Sequence, residues 1–219
     1  MSFWTKLSDS FQPPMFAAVK EGDLEKVRAL LQGNPDLVSK EDNTGWTPLH
    51  YAVHWGRKGV VELLLSSHAD LNAQANDGIT PLHCAVGQGY KDVAELLLAN
   101  HAEVNAKDNE LATPLHYAAD EGREDIVKLL LSSNADFDAN DNDGNTPLRL
   151  AVSKGHLAVA ELLRQRSGHE WTLLKNSYRK DRTPLPPLVF AARLNQKPNG
   201  EQVRVGPASQ QRRLVGQRL

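Results

Sequence analysis

The chain has 219 residues, 40% of them hydrophobic, which is enough apolar material for a packed core. One cysteine, Cys84, excludes an internal disulfide and leaves no thiolate cluster for zinc or iron–sulfur. The formal charge of −2 hides a split: residues 1–163 hold 13 Lys+Arg against 24 Asp+Glu, and residues 164–219 hold 12 against 3.

The chain starts Met1-Ser2-Phe3-Trp4-Thr5-Lys6, with no apolar core of a signal peptide. No apolar run approaches the roughly 18 residues that a spanning helix needs. Both features predict an intracellular, cytoplasmic soluble protein with no transmembrane segment. Phe3, Trp4, Leu7 and Phe11 share one helical stripe. They predict a short N-terminal helix, residues 1–12, that caps the region after it. A membrane-surface or partner-binding helix is the alternative, and Lys6 set against Asp9 gives little attraction to anionic lipid.

From residue 13 the chain repeats. Thr47-Pro48-Leu49-His50, Thr80-Pro81-Leu82-His83, Thr113-Pro114-Leu115-His116 and Thr146-Pro147-Leu148-Arg149 recur every 33 residues. A period in this range marks a stack of supersecondary units. Thr47 suits the N-cap of a helix and Pro48 its first position. Leu49, Ala52 and Val53 then face inward at helical spacing, and Gly56 ends the helix. A second helix carries Val60, Val61, Leu63, Leu64 and Leu65, too apolar to stand alone. Asp77-Gly78 is a strong turn signal at the tip of the connection. Pro13 to Val19 forms a fifth copy at a shift of 34, with the extra residue placed in the Gly33-Asn34-Pro35 turn. The predicted repeats are 13–41, 42–74, 75–107, 108–140 and 141–166.

Asp77 to Val86, Val93 to Leu98, and Ala102, Val104, Asn105 and Ala106 carry a family resemblance. The chain resembles ankyrin-repeat proteins over about residues 13–166. The resemblance implies an all-α solenoid of about five helix-turn-helix repeats, each with a projecting β-turn finger. It implies that Thr47, Thr80, Thr113 and Thr146 belong to the structural motif. It also implies that His50, His83 and His116 tie neighbouring fingers together rather than bind metal. His68, His101 and Asn134 stand where the family has glycine, so they need a left-handed backbone. Leu111 replaces the finger glycine. The first copy lacks Thr and His, and the last has Arg149 for His and Arg164 for a leucine, as end repeats often do.

Residues 167–219 lose the pattern and are read as a basic tail, largely disordered and rich in Gln, Arg, Gly and Pro. Trp171 to Leu174 and Leu188 to Ala192 are short apolar pieces that could dock on the final repeat. Arg179, Lys180, Arg182, Arg212 and Arg213 offer contact with nucleic acid, an anionic surface or the acidic body itself. No interleaved aromatic platform supports nucleic acid, so a solvated tail is the preferred reading.

No Gly-rich phosphate loop, Gly-x-Ser-x-Gly or His-Glu-x-x-His motif is present, and neither an enzyme nor a cofactor nor a metal is expected. Cys84 fills the slot of Tyr51, Tyr117 and Leu150 and is read as packing. The resemblance places recognition on finger tips and first-helix ends along a concave side. There the internal copies differ, which selects Trp46, His54, Trp55, Asp77, Ile79, Gln88, Glu110, Leu111, Asp120, Glu121, Asp143, Asn145 and Lys154. Trp46 and Trp55 are expected as exposed anchors. Asp77, Glu110, Asp120, Glu121 and Asp143 should supply negative potential beyond them. The expected function is a monomeric, non-enzymatic scaffold or adaptor for a protein partner with apolar and basic residues. The alternatives are an inhibitor or immunity-type regulator of one enzyme, an adaptor acting through the basic tail, and self-contact by residues 167–219.

Overall fold

The computed structural model describes residues 14–167, all within the first of the chain's two units, Met1–Glu170. The helix predicted within residues 1–12 lies outside the described residues, and so does the tail predicted over 167–219 apart from Ser167, which ends the last helix. Five helix pairs follow one another. They are α1 (Pro14–Glu21) with α2 (Leu24–Gly33), α3 (Pro48–His54) with α4 (Lys58–Ser66), and α5 (Pro81–Gln88) with α6 (Lys91–Ala99). Then come α7 (Pro114–Asp120) with α8 (Glu124–Ser132), and α9 (Pro147–Lys154) with α10 (Leu157–Ser167). A 3-10 turn, Pro35–Ser39, takes up the extra residue of the first repeat. The described residues contain helices and turns and no strand, so the all-α solenoid reading holds.

The first helices α1, α3, α5, α7 and α9 pack in one row and the second helices in another. Between rows lies the core. Leu49, Ala52 and Val53 of α3 are fully buried against Val60, Val61 and Leu64 of α4. The same slots recur as Leu82, Ala85 and Val86 with Val93, Ala94 and Leu97. No single repeat encloses these side chains, so each depends on its neighbours for burial.

Between successive pairs the chain projects a finger, and four are described: 42–46, 75–79, 108–112 and 141–145. Each is closed at its base by a main-chain bond, for example Ala75 N–H to Ile79 O at 2.9 Å. Gly56, at the end of α3, has φ +62°, and a Cβ there would meet the Tyr90 ring at 3.0 Å. Glycine is therefore required twice, by backbone and by the neighbouring repeat. His68, His101 and Asn134 adopt φ of 65°, 69° and 63°, the left-handed turn expected of them.

The repeated Thr and His form the joint between repeats. The Thr47 amide donates to His50 Nδ1 at 3.2 Å, and the Thr47 hydroxyl lies 2.9 Å from the same nitrogen. His50 Nε2 reaches the Ile79 carbonyl of the next finger at 3.0 Å. An amide only donates and a carbonyl only accepts, so the ring is neutral with its proton on Nε2. His83 repeats this with Thr80 and Ala112 O, and His116 with Thr113 and Asn145 O. No described finger follows the last copy. There Arg149 turns back to Gly144 O of its own finger at 2.8 Å.

Burial is the largest influence on all three histidines and lowers their pKa below the ordinary imidazole value of 6.5. The unfolded chain then binds more protons than the folded one as pH falls through that value. Stability should be fully present above about pH 7 and decline on acidification towards pH 5. Urea unfolding across that range checks this. His83→Ala should cost on the order of 3 kcal/mol at pH 7.5 and make the pH dependence shallower.

Candidate protein-interaction surface

The fingers form a continuous ladder. The Asn76 amide donates to Thr44 O, that of Asn109 to Asp77 O and that of Asn142 to Glu110 O, each at 2.9 Å. The side chains repeat the linkage: Asn76 Nδ2 donates to Asn43 O at 3.0 Å, Asn109 to Asn76 O at 3.0 Å and Asn142 to Asn109 O at 3.1 Å. Sequence reading missed this role. Its signal was an asparagine every 33 residues, at 43, 76, 109 and 142.

Aspartates brace the finger bases. Asp42 accepts from the Thr44 and Trp46 amides and from the Tyr51 hydroxyl at 2.6 Å, and Asp108 accepts from the Tyr117 hydroxyl at 2.7 Å. Burial pulls the Asp42 carboxyl upward, but the bonds from Thr44 and Tyr51 outweigh it and lower its pKa. These bonds hold finger to helix and leave the tips to carry variable residues.

The first-helix ends make a second row. Gln88 Nε2 lies 3.4 Å from His54 Nδ1, and Lys154 Nζ lies 2.9 Å from Asp120. His156 Nε2 donates to Asp120 O at 2.9 Å. Finger and helix end meet in an aromatic cluster: the Trp46 ring packs edge-on to Tyr51 and to His54, each with centroids 5.2 Å apart. Lys20 Nζ lies 4.8 Å from the Tyr51 ring centroid. Burial, then the Lys20 charge, lowers the pKa of His54.

The two tryptophans are unequal. Trp46 is half-buried, because its ring supports His50, Tyr51 and His54 from the finger side. The expectation of two exposed anchors is corrected to one. Trp55, with 47% of its surface exposed, touches His54 edge-on at 5.7 Å. Ile79 is half-buried and Gln88 exposed.

The acidic row is also less uniform than expected. Asp120 pairs with Lys154, which therefore serves the stack, and Glu121 lies 4.0 Å from Arg123. Asn145 is bound within its own finger, its amide donating to Asp141 at 2.7 Å. Asp77, Glu110 and Asp143 remain exposed at equivalent finger tips. Of these, Asp77 accepts from the Ile79 amide at 3.1 Å, and Glu110 accepts from Asn142 Nδ2 at 3.2 Å.

Leu111 is the strained member. It holds φ +59° with 43% of its surface exposed, in the slot where the other fingers have Gly45, Gly78 and Gly144. A Cβ at Gly78 would meet the Asn109 nitrogen at 2.7 Å, so the slot is tight as well as left-handed. Cys84 is buried, and burial pushes its thiol up to about 12, which removes it as a nucleophile at neutral pH. Among the described residues no group of His, Cys, Asp and Glu could hold a metal ion. No described helix is long and apolar enough to cross a membrane.

A stack of helix pairs with laddered fingers is an ankyrin architecture, and the comparisons agree. A family model described as ankyrin repeats (3 copies) matches residues 5–75, 67–141 and 108–175. The chain belongs to the ankyrin-repeat family. Members of this family generally mediate protein–protein interaction and are generally not enzymes. The chain is similar to 2-5A-dependent ribonuclease of Mus musculus, 48% identical over 56 residues, and to its Homo sapiens counterpart, 43% identical over 56. Each match covers 26% of this chain and 8% of the relative. It is also 35% identical over 57 residues to protein phosphatase 1 regulatory subunit 12A of Mus musculus, across 26% of this chain and 5% of that one. The likeness is thus confined to a short stretch of each relative.

Two substitutions separate structural from presented side chains. Trp46→Ala should cost roughly 3 kcal/mol of stability through the lost ring contacts, and Trp55→Ala less than about 1 kcal/mol. Thermal melts of both variants check this. Leu111→Gly should stabilise by about 1 kcal/mol, because glycine takes the left-handed backbone without the strain that a Cβ adds there. A urea midpoint at or below that of wild type would show that the Leu111 turn is not strained.

Proposed function

We propose that the finger tips and first-helix ends form a docking surface for a segment of another protein, anchored on Trp55. The observation that carries this is the half-exposed indole of Trp55. It sits at the end of α3 beside a packed aromatic cluster, with about half of its surface open and an edge-on contact to His54. Indole is the side chain most enriched at interface hot spots. Ile79 and Leu111 supply further apolar contact, and Asp77, Glu110 and Asp143 favour basic residues on the partner. Lys20 beside Tyr51 limits that preference to the finger-tip side. The chain acts in this reading as a monomeric cytoplasmic scaffold or adaptor that presents a preformed face.

Regulation of a single enzyme is the second reading. One relative is by name a regulatory subunit of a phosphatase, and the same surface would serve that role. Affinity capture followed by calorimetry on the recovered protein tests both. Trp55→Ala should weaken binding by about 2 kcal/mol, roughly thirtyfold, with the fold intact. One stoichiometric enzyme partner supports the regulator, and several partners support the adaptor. An affinity unchanged in Trp55→Ala sinks the anchor assignment.

A further inference from the structure

Three of the four described fingers are braced by an aspartate at the base, and finger 75–79 is not. Asp42 takes the amides of Thr44 at 2.8 Å and Trp46 at 3.0 Å. Asp108 takes those of Glu110 at 2.9 Å and Ala112 at 2.8 Å. Asp141 takes those of Asp143 at 3.0 Å and Asn145 at 2.7 Å. In two of these repeats the same carboxylate also takes a tyrosine hydroxyl, which ties the finger to its helix.

At the matching slots of the remaining finger stand Ala75 and Cys84. Alanine offers no acceptor there, and no bond joins Ala75 to the Cys84 side chain. The Ile79 amide goes instead to Asp77 Oδ1, at the tip, at 3.1 Å. The Thr44, Glu110 and Asp143 amides each reach a base aspartate, whereas no described acceptor takes the Asp77 amide. The finger's foot is still held, because His50 Nε2 reaches Ile79 O at 3.0 Å. Its tip keeps the ladder that the other fingers share, one main-chain and one side-chain bond to each neighbour, so the brace is what distinguishes it.

We propose that finger 75–79 is the adaptable finger of the stack: its tip, Asn76 to Gly78, opens and recloses locally while the other three stay fixed. The missing brace and the retained foot confine the motion to the tip. That tip carries Asp77, so the adaptable finger lies within the docking surface proposed above. Only its bearing on recognition rests on that reading, and the motion does not.

Amide hydrogen exchange by NMR on the full chain tests the motion without a partner. The reporter is the tip amide that is bonded across every finger: Gly45 to Asp42 O at 3.1 Å, Gly78 to Ala75 O at 2.9 Å, Leu111 to Asp108 O at 3.0 Å and Gly144 to Asp141 O at 3.0 Å. Relative to intrinsic rates, the Gly78 amide should exchange about tenfold faster than the other three. Ala75→Asp with Cys84→Tyr installs the brace and should bring Gly78 protection to the level of its counterparts. Asp108→Ala with Tyr117→Cys removes it from the next finger and should raise Leu111 amide exchange by a similar factor. Equal protection of the four wild-type amides overturns the proposal, and so does an unchanged Leu111 rate in the second variant. That second variant decides the matter if the first fails to fold.

Discussion

The three central repeats of this chain each hang on one bond that leaves them: the histidine Nε2–H donated to a carbonyl of the next finger. His50, His83 and His116 make it across 29 residues each, at 3.0 to 3.2 Å. The bond works only because Thr supplies the opposite nitrogen with donors and so fixes the tautomer. Local capping and long-range joining are thereby a single network. A buried polar ring would be a large penalty if it were left half-satisfied, and no unpartnered buried side-chain nitrogen or oxygen is found among the described residues.

That network divides the chain into fixed and variable positions. Slots that meet the next repeat are constrained by burial, by φ or by close approach: Leu49, Gly56 and His50 are examples of each. Finger-tip and helix-end slots outside the glycines and the asparagine ladder meet fewer such demands, and there the copies diverge. The surface is therefore a by-product of how the stack closes. The aromatic cluster shows the limit of this division. Trp46 sits in a variable slot, yet its ring is recruited into packing with Tyr51 and His54.

Much of the fold was legible because the repeat supplies its own comparison. Periodicity at 33 residues located helices, caps, glycines and the left-handed His68, His101 and Asn134, since each feature could be checked three or four times. The asparagine ladder was equally visible as a pattern, but its role was not, because the partner atom is a main-chain carbonyl that has no sequence signature. The candidate site was legible only by slot. Exposure of Trp55 against half-burial of Trp46 depends on ring contacts between finger and helix end. The pairing of Asp120 with Lys154 depends on the alignment of successive helix ends. Neither follows from position within one repeat.

Departures from the repeat therefore say more than its matches. Leu111 accepts a left-handed backbone, which disfavours a side-chain-bearing residue by roughly 1–2 kcal/mol, while gaining an exposed apolar surface. Ala75 and Cys84 forgo a brace that two other repeats possess in full. In both cases the sequence is locally worse than its own neighbours at making the stack. Backbone strain of this kind persists where the surroundings over-determine it, and the laddered fingers on either side do so here. Folding accounts for how these two exceptions are tolerated and gives no reason for having them. Both fall on adjacent fingers of the ladder, within the docking surface proposed above, so the proposed recognition and the irregularities of the stack concern the same fingers.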